Sequence, residues 1–260
     1  MLLAIDVGNT HTVFGIYRDD ALVADWRISS TLQQTDDEAG AQVKLLLGEA
    51  GFSPKDVNRV GISSVVPNLT DVFAAMARRW FSVEAVVIDS TLDLGIAIRY
   101  TNPQSVGADR LCNAVAGYAK HGGPLIIIDF GTATTYDVIA SDGSYLGGVI
   151  APGVETAAAD LHRRAAKLPK IELKLPDNII GRDTETSMQV GVLYGAIDAL
   201  EGMITRIRGE LATTERKAPR VIATGGFSSF ISQHTSVIEI CEPSLVLEGI
   251  RLICKRVASA

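Results

Sequence analysis

One phrase is written twice in this chain. Ile5-Asp6-Val7-Gly8-Asn9-Thr10-His11-Thr12-Val13-Phe14-Gly15-Ile16 returns as Ile128-Asp129-Phe130-Gly131-Thr132-Ala133-Thr134-Thr135-Tyr136-Asp137-Val138-Ile139. Each copy reads as an apolar strand ending in an acid, a tight glycine turn rich in hydroxyls, and a second strand. One such hairpin in each half predicts two related domains facing each other across a phosphate-binding cleft. With 260 residues, 47% of them hydrophobic and 21% charged, the chain can bury two small cores or one large one.

The surroundings of the hairpins repeat as well. Strands are expected at 2–5, 12–17 and 22–28, then a helix from Asp36 to Ala50, a strand at 60–64, a helix from Pro67 to Trp80 and a strand at 85–88. A helix from Ser105 to Ala119 closes the first half at His121-Gly122-Gly123-Pro124. Strands at 125–129, 135–139 and 145–149 restart the pattern, followed by a helix from Pro152-Gly153 to Arg164 and an irregular connector at 167–178. A long helix is expected over 186–211, with Val192, Ala196, Leu200, Ile204, Ile207 and Leu211 on one stripe. Its Gly191 and Gly195 make it a candidate dimer surface as well as a candidate core element. Short strands at 221–223 and 237–240 and a helix at 245–257 complete the chain. Periodicity alone yields a duplicated α/β protein. The paired hairpins sharpen this to duplicated ribonuclease-H-like, actin-like ATPase domains, each a βββαβα mixed sheet flanked by helices, spanning 1–120 and 121–260.

Charge and cysteine usage narrow the partners. A net charge of −6 favours neither nucleic acid nor an anionic membrane, so phosphates must be met locally by backbone N–H groups, a metal and a few cations. Cys112, Cys241 and Cys254 are odd in number and scattered, which argues for a reducing compartment and against a disulfide framework or a zinc site. The sequence opens directly into a strand, and no apolar run approaches the ~20 residues of a membrane span, so a cytoplasmic location is expected.

Four groups of residues carry the candidate chemistry. In Asp6-Val7-Gly8-Asn9-Thr10 the turn would present N–H groups to a phosphate, and Asp6 would hold Mg²⁺ directly or through water. The bland alternative is an ordinary hairpin. No Gly-Lys-Ser/Thr phosphate loop is present. Asp129-Phe130-Gly131-Thr132 would bring a second cation ligand and a phosphate-binding hydroxyl. The glycines of Gly147-Gly148-Val149-Ile150-Ala151-Pro152-Gly153 and of Thr224-Gly225-Gly226 suit close backbone approach, or simply turns. Gly107-Ala108-Asp109-Arg110 falls in the first turn of a helix capped by Ser105. Asp109 there either complements the helix dipole or acts as a general base beside an anion-binding Arg110. Glycine at 107 fits the dipole reading poorly, because it lowers helix propensity without gain. The four histidines have no metal-ligand spacing.

Taken together, these motifs resemble the type III pantothenate kinases, nearly end to end. The resemblance rests on Asp6 to Thr10, Tyr100 before Asn102-Pro103, Gly107 to Arg110, Asp129 to Thr132, Gly147 to Gly153, and Thr184 before the long helix. It implies ATP-dependent phosphorylation of pantothenate, the first step of coenzyme A biosynthesis. By the same resemblance, ATP would lie on Asp6, Val7, Gly8, Asn9, Thr10, His11, Thr12, Val13 and Thr132. Asp109 would be the catalytic base. Pantothenate would be held by Tyr100, Gly107, Ala108, Asp109, Arg110 and Thr184, the last from the partner subunit of a homodimer. Asp129 would ligate K⁺ or NH₄⁺ beside Mg²⁺. Some family members carry a basic residue where Val13 stands, so backbone donors and metals would take more of the phosphate charge here. Two other readings compete: a non-catalytic regulator built on the same fold, and a kinase for another small hydroxyl substrate.

Overall fold

In the computed structural model, which describes residues 1–258, each hairpin seeds a five-stranded sheet. β1 (Leu2–Val7), β2 (His11–Arg18) and β3 (Ala21–Ser29) form an antiparallel meander. β4 (Arg59–Ser64) and β5 (Ala85–Val87) add in parallel on the far side of β1, giving the order β3-β2-β1-β4-β5. The second sheet contains β6 (Leu125–Phe130), β7 (Ala133–Ile139), β8 (Tyr145–Pro152), β9 (Arg220–Gly225) and β10 (Ile240–Cys241). Its order, β10-β9-β6-β7-β8, is that of the first sheet read from the other edge. β6 thus occupies the place of β1, and β9 that of β4. The duplication reaches from residues to topology, as expected of two ribonuclease-H-like units.

Alternation along the central strand decides what covers each face. Leu3, Ile5 and Val7 of β1 pack under α1 (Asp36–Glu49) and α2 (Pro67–Met76), against Val43, Leu47, Leu69 and Phe73. Phe14 meets Phe73 edge-on, with ring centroids 5.8 Å apart. The start of α1 is fixed by a capping box. Glu38 N–H donates to Thr35 Oγ1 at 3.3 Å, and Thr35 N–H to the Glu38 carboxylate at 2.8 Å.

The opposite face of β1, carrying Leu2, Ala4 and Asp6, is served by a helix from far along the chain, α7 (Leu245–Val257). A Cβ on Gly61 of β4 would strike Cys254 Sγ and Ile250 of α7. A Cβ on Gly249 would strike the Cys112 backbone of α3 (Ala108–His121). Arg251 of α7, almost wholly buried, pairs with Asp20 and Glu248. One compact unit is therefore Met1–Lys120 together with the chain from Leu245 onward, and the other is His121–Ser244. A second domain running from 121 to 260 would have kept α7. The packing of its apolar stripe on β1, β2 and β4 places it with the first unit instead.

In the second unit Ile126, Ile128 and Phe130 of β6 pack against Ile197, Leu200 and Ile204 of α5 (Thr184–Leu211). α4 (Val154–Arg164) and the short α6 (Ser228–Ser232) complete it. Val192, Leu200, Ile204 and Leu211 of the expected stripe are core residues. Gly191 and Gly195 face open space. α5 begins at Thr184 rather than Thr186 because Asp183 caps it, accepting from Thr186 N–H at 2.8 Å. Residues 167–178 form no helix or strand.

Three other local expectations shift. The Pro67 helix is α-helical only to Met76 and continues as a π-helical turn, Ala77–Phe81. The strand expected at 237–240 reduces to Ile240–Cys241, since Val237 N–H donates to Thr235 Oγ1 in a turn. Ser105 does not cap α3. Its hydroxyl donates to the Asn102 carbonyl at 2.7 Å within the 3₁₀ turn Pro103–Ser105, and it is the Gly107 carbonyl that receives Leu111 N–H. Among the described residues no helix is long and apolar enough to cross a membrane.

Candidate active site

The first hairpin is braced from the side. Gly8 N–H donates to the His11 carbonyl at 3.0 Å, so this N–H closes the turn rather than pointing outward. Ser30 ties the loop down: its hydroxyl donates to the Gly8 carbonyl at 2.6 Å and lies 2.9 Å from Thr12 Oγ1, and its N–H reaches the Thr10 carbonyl. Within residues 6–13, Val7 and Thr12 are buried scaffolding, while Asn9, Thr10 and His11 form the exposed tip. Val13 is half-buried, in register with Asp6.

Asp6 stands at the end of β1, opposite Ser63 in the parallel β1–β4 pair. Ser63 Oγ donates to Asp6 Oδ1 at 2.9 Å. On α3, Asp109 Oδ1 accepts Arg110 N–H at 2.8 Å. Burial pushes the Asp109 carboxyl above the ordinary Asp range, outweighing that hydrogen bond and the Arg110 charge. A Cβ at position 107 would lie 2.5 Å from Asp109 Oδ1 and 3.4 Å from Val65 Cγ1. A side chain at 107 would force the carboxylate out of this position, so glycine leaves it its seat. An acid serving only the helix dipole would sit at the surface with a lowered pKa. A half-buried carboxyl with a raised one has the environment of a base held in reserve. Arg110 is buried beside it. Cys112, one turn further on, is fully buried, and its thiol is pushed well up by desolvation and then by the nearby charges of Asp6 and Asp109. The two carboxylates therefore share one electrostatic neighbourhood. Tyr100 lies in the irregular stretch between β5 and α3, partly exposed.

The second hairpin is built alike but anchored differently. Gly131 N–H closes the turn onto the Ala133 carbonyl at 3.1 Å. The Thr132 carbonyl accepts from Gly153 N–H at 3.1 Å and Thr156 Oγ1 at 2.7 Å, which pins the start of α4 under the turn. A Cβ on Gly153 would strike the Gly131 and Thr132 carbonyls, so this glycine is needed for the approach. Asp129 is in register with Thr135 on one side and Thr224 on the other. The Thr135 hydroxyl is buried with no hydrogen-bond partner, and a Cβ on Gly225 would strike Asp129 Oδ1. A carboxylate, an unsatisfied buried hydroxyl and tightly apposed backbone form an oxygen-rich donor set that fits a monovalent cation. Thr184 lies exposed at the first turn of α5, on a groove of about 620 Å³ that also borders Arg182 and Gly191.

The first unit contains Asp6 to Val13, Tyr100 and Gly107 to Arg110, with Asp6 and Asp109 both near Cys112. Asp129, Thr132 and Thr184 belong to the second. Ser63 escapes a reading of the sequence, where its only signal is a hydroxyl at the end of an otherwise apolar strand. Thr135 and Thr224 are visible there only as parts of the hairpin phrase and of a glycine cluster.

Two ribonuclease-H-like units, each with an acid at the end of its central strand and a hydroxyl-rich hairpin beyond it, define the actin-like class of ATP-using enzymes. The particular family follows from comparison. The profile described as type III pantothenate kinase matches residues 2–206. Proteins named type III pantothenate kinase from Geobacillus sp. (strain WCH70) and Geobacillus thermodenitrificans (strain NG80-2) are each 42% identical over 256 residues, covering 98% of this chain and 98% of each relative. The chain belongs to the type III pantothenate kinase family. Its fold is also similar to that of a Campylobacter jejuni protein described as a Baf family transcriptional activator, with a TM-score of 0.61 at 18% identity over 99% of this chain and 100% of that one. The ethanolamine utilization protein EutJ from Carboxydothermus hydrogenoformans shares the fold at a TM-score of 0.55 and 15% identity, over 96% of this chain and 89% of that one.

Proposed function

We propose that this chain transfers the γ-phosphoryl group of ATP to pantothenate, giving 4′-phosphopantothenate, with Asp109 as the base that takes the proton of the acceptor hydroxyl. The observation that carries the reading is the half-buried Asp109 carboxyl of raised pKa, seated by Gly107 beside Arg110 in a chain of this family. Phosphoryl transfer asks the protein for positioning and charge neutralisation more than for covalent chemistry. The exposed tip Asn9-Thr10 would meet phosphate oxygens through backbone N–H groups, and Thr132 would do so from the second hairpin. Asp6 would hold Mg²⁺, directly or through water, to neutralise the triphosphate. Asp129, with Thr135 and Thr224 beside it, would hold K⁺ or NH₄⁺. Arg110 would face the pantothenate carboxylate, with Tyr100 and the Gly107-Ala108 backbone alongside. Thr184 would complete the acceptor pocket of the other protomer in a homodimer, where the open face of α5 at Gly191 and Gly195 offers room for close approach.

A coupled ADP-release assay tests the reading. Pantothenate, pantetheine and a few sugars are supplied in turn, each with K⁺ and with Na⁺ alone. Turnover with pantothenate and K⁺ that exceeds turnover with the sugars is expected. Equal rates with a sugar would shift the acceptor, and equal rates in Na⁺ would remove the cation from Asp129.

A further inference from the structure

The hydroxyl of Ser63 has no assigned part in the reaction, yet its placement is specific. Ser63 is fully buried, on a strand whose neighbours Val60 and Ile62 belong to the core, and its Oγ donates to Asp6 Oδ1 at 2.9 Å. A buried hydroxyl is costly unless it is hydrogen-bonded, so this one is committed to its partners. Those partners are Asp6 and, on the α3 side, the Cys112 thiol, which lies within hydrogen-bonding reach of Ser63. Cys112 in turn sits one helical turn from Asp109. In the second unit buried Thr224 occupies the register position opposite Asp129 that Ser63 occupies opposite Asp6. Each acid-ended central strand is thus paired, across its parallel neighbour, with a hydroxyl withdrawn from water.

We propose that Ser63 is a positioning residue for nucleotide binding: its hydrogen bond fixes the Asp6 carboxylate in the orientation that receives the metal of Mg·ATP. The inference rests on the assignment of Asp6 to Mg·ATP made above. It gives Ser63 no contact with substrate. A hydrogen bond to a charged group is worth enough that its loss should weaken Mg·ATP binding by about tenfold or more. Pantothenate, assigned above to Tyr100, Gly107 to Arg110 and Thr184, should be little affected.

The test reads binding as well as turnover. Mg·ATP is titrated without pantothenate, following the rise in melting temperature, for wild type, Ser63→Ala, Asp6→Asn and the double variant. KM values for ATP and pantothenate are measured in parallel. Expected are a loss of Mg·ATP affinity and a raised KM for ATP in Ser63→Ala, with the KM for pantothenate within about twofold of wild type. Removing Ser63 in the Asp6→Asn background should then add little, because the two residues act as one unit. Ser63→Thr, which copies the second unit, should restore affinity. If Ser63→Ala gives no folded protein, Ser63→Cys takes its place, keeping the volume with a weaker donor. Unchanged Mg·ATP affinity in a folded variant overturns the inference, as do equal shifts for both substrates or an undiminished effect without the Asp6 carboxylate. Failure of the wild type itself to bind Mg·ATP would instead strike the assignment of Asp6.

Discussion

The two units share strand order and hairpin but spend the same scaffold differently. In the first, Asp6 is flanked in register by Val13 and Ser63; in the second, Asp129 is flanked by Thr135 and Thr224. One carboxylate has a single hydroxyl neighbour, and the other has two, one of them a buried hydroxyl without a partner. That difference is what the proposed division, Mg²⁺ at Asp6 and a monovalent ion at Asp129, would require. The first unit also carries a further carboxylate, Asp109 on α3, which shares with Asp6 the neighbourhood of Cys112. The two acids hold equivalent positions in the fold and differ in their neighbours.

The strongest way to break this contrast is at Asp109. Asp109→Asn should lower turnover by at least about two orders of magnitude, within the range of a positioned base. Because folding raises this pKa, Asp109 contributes stability below the unfolded carboxyl pKa and loses it as pH rises through the folded value. At neutral pH the wild type therefore carries a penalty that Asn relieves, so the melting temperature should hold or rise. The base must be ionised to work, so the acid limb of kcat/KM should lie above the ordinary Asp range. An acid limb within that range, or near-wild-type turnover in Asp109→Asn, would remove Asp109 from the reaction.

Gly107→Ala comes next. Its methyl would lie only 2.5 Å from Asp109 Oδ1, and a displaced base should cost about ten- to a hundredfold in kcat. Wild-type kcat in the alanine variant would show that the seat can yield. Asp129→Asn should bring the rate in K⁺ down to that of the wild type in Na⁺ alone, whereas Asp6→Asn should weaken Mg·ATP and leave the cation response in place. Reversed responses of the two variants would exchange the roles of the units. The smallest effect belongs to Gly225→Ala. At φ +86°, against Asp129 Oδ1, alanine should destabilise by roughly 1–3 kcal/mol, read from the denaturation midpoint.

Much of this was legible in the sequence, because hairpins and helices are local. The strand–turn–strand phrase, the Asp36 helix and the last helix depend on neighbours in the chain. Ser63 could not be read this way: its importance lies in a register with Asp6, and pairing between distant strands leaves no local mark. Gly107 was visible as an anomaly but not as a cause, since the atom it makes room for belongs to a side chain two residues on. Ser105 looked like a helix cap until the 3₁₀ turn at Pro103 claimed its hydroxyl. The site of α7 was hidden for a similar reason, because an apolar stripe says that a helix is buried and not which sheet buries it.

That placement of α7 makes the second unit an insertion within the first. During synthesis the first sheet emerges early, with β1 and β4 lacking the cover that α7 gives them until residues 245–257 appear. The second unit is contiguous from His121 to Ser244 and has all of its strands and helices before then. Its sheet can therefore be complete while the first still waits, so the ribosome delivers Asp6 first and finishes its surroundings last.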